Sequence, residues 1–277
     1  MRQSIITLLL LCVAACGAPK DKGDQAEVQA GPAQLSFQGA DYTGEASKLA
    51  HGKRLATVLD CTSCHGSNLQ GTNATDDDPE YGDMNAPNIT LLLAKYSDAD
   101  FDRLIRHGEP KDGREFWFMP VESQQFLSDA DLAAIVAYLR TFKPAGSQMP
   151  PIRKGKGFEE DLARGFGNAR QQVQRYRTSP PVDMGASHEW GRHLARTLCT
   201  PCHNGELQGY EGFTPNLDIA GAYSAPELET LLTTGKGKSK SDLGLMSETA
   251  RYAFSQLTPG EREAIIAYIK ARADRPQ

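Results

Sequence analysis

Long apolar runs are missing from this 277-residue chain except at its very start. No later stretch approaches the ~20 residues a membrane-crossing helix needs. Period-two alternation of apolar and polar residues is also scarce, which argues against a β-rich fold. Charge of one sign is absent too: 30 Lys and Arg face 35 Asp and Glu, a formal net charge of −5. That balance gives no reason to expect nucleic-acid binding and favours, weakly, a basic docking partner. With 39% hydrophobic and 23% charged residues, general disorder is excluded as well. Cysteine is rare, at six residues, and where those six fall carries most of the information.

The first fifteen residues differ from the rest. Arg2 gives a positive start, Ile5 to Val13 is a short apolar run, and Ala14 and Ala15 precede Cys16. This is the pattern of a signal peptide, residues 1–15. Val13-Ala14-Ala15-Cys16 resembles the bacterial lipobox, which implies cleavage before Cys16 and lipidation of its thiol. The rival is a plain secretory signal with a leftover cysteine. Residues 16–45, rich in Ala, Gly, Gln, Lys and Asp, read as a flexible tether. Cys12 would leave with the leader and Cys16 would carry the lipid, so four cysteines remain, in two pairs.

After the tether one pattern runs twice. The first copy, residues 46–143, opens with a predicted helix from Ala46 to Leu59 that leads into Cys61-Thr62-Ser63-Cys64-His65. The second, residues 188–277, opens with Glu189 to Leu198 and leads into Cys199-Thr200-Pro201-Cys202-His203. Pro87-Asn88-Ile89 and Pro215-Asn216-Leu217 follow the two motifs. Ser97 with Asp100 and Ser224 with Glu227 are spaced as capping boxes, and Gly108 and Gly235 are placed to end the helices they start. Each copy then passes through an irregular loop holding Met119 or Met246. A last helix, capped by Ser128 with Asp131 or by Thr258 with Glu261, closes it. Both copies read as small all-helical domains. Residues 144–187, with five prolines, read as the linker, in which Phe158 to Tyr176 has room for one further helix, broken or weakened by Gly165 and Gly167.

Two thiols in Cys-x-x-Cys-His can each form a thioether to the vinyl groups of one porphyrin, leaving the adjacent histidine for the iron. The motif is therefore a haem attachment signature. A Cys₄ zinc site, two short disulfides or a thioredoxin-like pair are the alternatives, and none accounts for His65 and His203. Zinc ribbons also place their pairs far closer in sequence than Cys64 and Cys199.

The motif, Phe118-Met119-Pro120 and the closing Leu132 to Leu139 stretch stand in the order of the class I cytochrome c family, which the chain resembles in both copies. Gly191-Arg192-His193-Leu194-Ala195 and Tyr138-Leu139-Arg140 resemble the multihaem cytochrome subunits of membrane-bound bacterial dehydrogenases. The resemblance implies an all-α chain of two tandem class I cytochrome c-like domains with two covalently bound haem c groups. It implies His65 and His203 as proximal iron ligands, Met119 and Met246 as the second axial ligands, and the carbonyls near Pro87 and Pro215 as acceptors for the other histidine nitrogens. Met84, before the Pro87 step, is the rival to Met119. Met149 and Met184 read as apolar filler, His107 as a solvated helix end, and His51, His188 and His193 as surface or packing residues. Asp76-Asp77-Asp78-Pro79-Glu80 reads as a solvated loop.

With both axial positions filled, each iron has no place for substrate. The expected function is then single-electron transfer between redox protein partners, not catalysis, on the periplasmic face of a bacterial membrane through the lipid anchor. Gly17 stands where inner-membrane retention is associated with aspartate, which favours the outer membrane. A dihaem peroxidase with one open iron is the alternative.

Overall fold

Residues 34–44 lead into α1 (Glu45–Val58), followed after Leu59 and Asp60 by the single turn α2 (Cys61–Cys64). The short strand β1 (Gly82–Asp83), α3 (Asp98–His107), the single turn α4 (Val121–Gln124) and α5 (Asp129–Leu139) complete the first copy. Between the copies lie β2 (Arg153–Lys154), α6 (Lys156–Ala163) and α7 (Ala169–Thr178). The second copy holds α8 (Glu189–Leu198), α9 (Thr200–His203), α10 (Ala225–Thr234), α11 (Leu245–Tyr252) and α12 (Pro259–Ala273). These elements come from a computed structural model that describes residues 34–276. The leader, Cys16 and residues 17–33 of the tether lie outside them. The described residues are mostly helical, and β1 pairs antiparallel with β2, Gly82 opposite Lys154.

Local chemistry sets the helix ends. Ser97, Ser224 and Thr258 accept a hydrogen bond from the amide of the third residue of their helices, and the carboxylates of Asp100, Glu227 and Glu261 in turn accept from the cap amides. Ser128 accepts from the amide of Asp131 to start α5. Gly108 and Gly235 close α3 and α10 with φ of 66° and 74°, a region in which a side chain is penalised.

The main packing is the same in both copies: α1 lies on α5, and α8 on α12. Gly52 and Gly191 allow this. A Cβ on Gly52 would stand 1.9 Å from the Ala134 carbonyl oxygen, and one on Gly191 would stand 2.0 Å from that of Ala264. Leu55, Val58, Ile135 and Leu139 fill the first interface, and Leu194, Ile265, Tyr268 and Ile269 the second. These side chains belong to a single continuous core.

One segment differs from the sequence expectation, and a second carries more structure than expected. The ordered body starts well before Ala46: Phe37 is buried in the core, and the Trp190 indole donates to the Ser36 carbonyl at 2.9 Å. The linker also forms structure of its own. Gly165 and Gly167 split the expected helix into α6 and α7, and Asn168 caps the second. Phe158 and Val173 are fully buried, and the Ala169 amide donates to the Phe116 carbonyl at 3.0 Å. An aromatic cluster of Tyr81, Trp117, Phe118, Phe158 and Phe166, with ring centroids 5.1–6.4 Å apart, fastens α6 over the segment that carries Met119.

Candidate functional site

Each motif folds as one helical turn behind the opening helix, and the turns are built alike. The Thr72 hydroxyl donates to the Cys64 carbonyl at 2.6 Å, as that of Thr214 donates to the Cys202 carbonyl. The Gly71 amide reaches the His65 carbonyl at 2.8 Å, and Gly209 that of His203 at 2.9 Å. Leu69 and Leu207, at matching places, are both fully buried with φ near 60°. A leucine takes this conformation only where its surroundings force it.

The histidines are oriented identically. His65 Nδ1 lies 2.9 Å from the Pro87 carbonyl oxygen, and His203 Nδ1 2.9 Å from that of Pro215. A carbonyl only accepts, so the proton sits on Nδ1 and the Nε2 lone pair is left for a metal. Burial holds both imidazoles below their ordinary pKa, so they stay neutral, as ligation requires. Burial also pushes the thiols of Cys61 and Cys199 up to about 12, and Cys64 and Cys202 upward. These are thiols rather than thiolates, which speaks against a low-pKa redox pair. None of the four forms a disulfide. Among the described residues no group of three or more His, Cys, Asp or Glu side chains is arranged to hold a metal ion, so a Cys₄ zinc site has no support.

Met119 and Met246 are both partly buried against the core. Phe118, beside Met119, has φ of 64°, an energetically costly backbone for an aromatic residue directly before the candidate ligand. Met84 is buried directly after β1, and its amide donates to the Thr75 hydroxyl at 3.0 Å. Met149 packs on Gly71, Met184 rests on the core, and His107 is exposed at the end of α3. His51 is buried, with Nε2 2.7 Å from the Asp131 carboxylate. His193 is held down to about 4, chiefly by burial, and its Nε2 has no partner. His188 Nδ1 is likewise buried without a partner. Asp76 to Glu80 are exposed.

Sequence reasoning missed how the copies meet. The Thr62 and Tyr252 hydroxyls hydrogen-bond at 2.5 Å, joining α2 to α11, and α4 packs against α9. Each motif turn therefore abuts the segment beside the other copy's candidate methionine. Asp60 and Glu122 flank this junction. Burial pushes them up to about 6 and about 7; among the described residues the Asp60 carboxylate has no hydrogen bond or ion pair, and that of Glu122 meets its own backbone amide but no cation. One signal was legible: the first copy has one residue more between its helix glycine and first motif cysteine (Gly52 to Cys61) than the second (Gly191 to Cys199), and the extra residue is Asp60.

Free thiols one helical turn apart, a neutral histidine fixed through Nδ1 and a half-buried methionine fit a covalently attached haem at each motif. Cys61, Cys64, His65 and Met119 would hold one, and Cys199, Cys202, His203 and Met246 the other. Fold and site define a helical protein with the side chains of a c-type haem site, and residues 49–143 match the model of the cytochrome c family. Among individual proteins, the chain is similar to a subunit of nicotinate dehydrogenase from Pseudomonas putida, at 28% identity over 84% of this chain and 22% of that protein. It is similar to the fructose dehydrogenase cytochrome subunit of Gluconobacter japonicus, at 25% identity over 80% and 52%. The gluconate 2-dehydrogenase cytochrome c subunit of Pantoea cypripedii is 24% identical over 86% and 62%. The chain thus spans less than two thirds of the length of each of these relatives.

Proposed function

We propose that this protein is a dihaem cytochrome c of two tandem domains, lipid-anchored through Cys16 on the periplasmic face, that relays single electrons. We assign its partners as a dehydrogenase catalytic subunit on one side and a respiratory acceptor on the other. Bound haem would supply a one-electron change of iron valence. The chain's own residues do the rest. Two cysteines per site would fix the group, the Pro87 and Pro215 carbonyls orient His65 and His203 while burial keeps them neutral, and Met119 and Met246 would supply the second iron ligand. The observation that carries the reading is the duplicated motif turn with its 2.9 Å histidine anchor. The cytochrome subunits among the relatives support the dehydrogenase partner.

The test is mass spectrometry of protein matured in a haem-competent host, followed by a redox titration read in absorption. We expect two added haem masses and two low-spin titration steps. Met119→Ala and Met246→Ala should each lower one potential and leave the other in place. A single haem, or a high-spin iron in the wild-type protein, would overturn the dihaem relay.

A further inference from the structure

Asp60 has no evident structural role. It precedes the first motif cysteine with φ of 60°, its side chain does not cap α2, and its carboxylate is without a hydrogen bond or counter-ion among the described residues. Asp60 is half-buried, and this partial withdrawal from water raises its pKa to about 6. The second copy dispenses with the residue, since Leu198 runs directly into Cys199.

Its position gives it a reach across the chain. The α2 turn that Asp60 begins is bonded through Thr62 to Tyr252 of α11, while α9 of the second motif packs on α4 of the first copy. The negative charge of Asp60 accordingly acts on Cys61 and Cys64 of its own motif and also on Cys202 of the other. Oxidised iron carries one more positive charge than reduced iron. A nearby carboxylate therefore favours the oxidised form and lowers the potential, with less screening the further it is withdrawn from water.

We propose that Asp60 is a charge shared by both haem sites, a potential-setting residue that holds down the two reduction potentials together across the α2–α11 and α4–α9 junction. The inference rests on the dihaem reading and goes beyond it by assigning one residue to two sites.

The test is a redox titration of the holoprotein at pH 8, comparing wild type with Asp60→Asn. Asparagine tolerates the left-handed backbone at this position, so the substitution removes charge without forcing a new conformation. Both titration steps should move to higher potential. Asp60→Gly, which suits the same backbone, should give the same two shifts, and Asp60→Glu should hold both near wild type. Asp76→Asn, on the exposed loop, serves as the control and should move neither. If neutralising Asp60 moves one step or none, in either the Asn or the Gly variant, the shared-charge assignment is overturned while the haem reading stands. A wild-type protein that carries no haem would sink both.

Discussion

The ion pair between Arg54 of α1 and Glu261 of α12 joins the two copies, and its contribution can be worked from its geometry. Glu261 is fully buried and its carboxylate receives four hydrogen bonds: Arg54 Nη1 at 2.7 Å and Nη2 at 3.0 Å, the Gln38 amide at 2.9 Å and the Thr258 amide at 2.8 Å. Removing one partner of a buried pair costs about 3–5 kcal/mol. Here two amides would remain on the carboxylate and the Arg54 side chain is 21% exposed, which lowers the expected loss for Arg54→Met to about 2–3 kcal/mol. For a body of this size each kcal/mol moves the midpoint by about 2–4 °C, so the thermal midpoint of the variant should lie roughly 4–12 °C lower. Glu261→Gln should cost at least as much, about 2–3 kcal/mol, because each oxygen accepts two N–H groups and the new NH2 would face donors in a buried site. The double variant should recover at least about 1 kcal/mol relative to the sum of the singles. Additive losses in that cycle, or an Arg54→Met midpoint equal to wild type, would show that the pair does not fasten the copies together.

Two further outcomes follow from the interior. Burial holds His193 at about 4, below its ordinary value and against the pull of Asp131. A depressed histidine pKa favours the neutral form in the fold, so its contribution is fully present above about pH 6.5 and is lost as pH falls toward 4. Urea unfolding should show a loss of about 1–2 kcal/mol between about pH 7 and pH 5, and His193→Phe should flatten that slope. At the helix crossings, Gly52→Ala and Gly191→Ala would each set a methyl group against a backbone carbonyl. We expect each to cost about 3 kcal/mol, measured by denaturant midpoint, whereas Gly113→Ala, with open space around it, should cost no more than about 1 kcal/mol, from its positive φ alone.

What the sequence made legible is what local chemistry decides. Ser97, Ser128, Ser224 and Thr258 start helices because a side-chain oxygen three residues before a free amide satisfies it wherever the chain goes. Gly108 and Gly235 end them for an equally local reason. The 2.9 Å anchors at Pro87 and Pro215 were expected from the family resemblance, because a proline step at that place fixes a carbonyl near the histidine. Long-range burial was not legible. Residues 34–44 have the composition of a tether, yet Phe37 and the amides of Phe37 and Gln38 find partners in Asp131 and Glu261, far along the chain. In the linker the helical stretch and its break at Gly165 and Gly167 were legible, but its packing was not, because Phe158 and Phe166 find Tyr81, Trp117 and Phe118 far along the chain. For His51 the packing half of the expectation holds, but its partner, Asp131, could not be named because it lies 80 residues away.

The duplicated carboxylates show how a repeat can become a single machine. Asp131 and Glu261 occupy the same helical position and serve the same cap, but their remaining oxygen capacity is used differently. Asp131 takes His51 from its own copy, whereas Glu261 takes Arg54 from the other. The residues 34–44 then reach both, Phe37 to Asp131 and Gln38 to Glu261. Closing α12 in its full hydrogen-bonded state therefore requires α1 to be in place, so the second copy cannot complete its own cap alone. A rigid connection of this kind fixes the separation of the two motif turns, because α1 carries Asp60 and Cys61 at its end and α12 is packed on α8, which leads into Cys199. Electron transfer between two sites falls steeply with distance, and a cap shared across the copies is a direct physical means of keeping that distance constant.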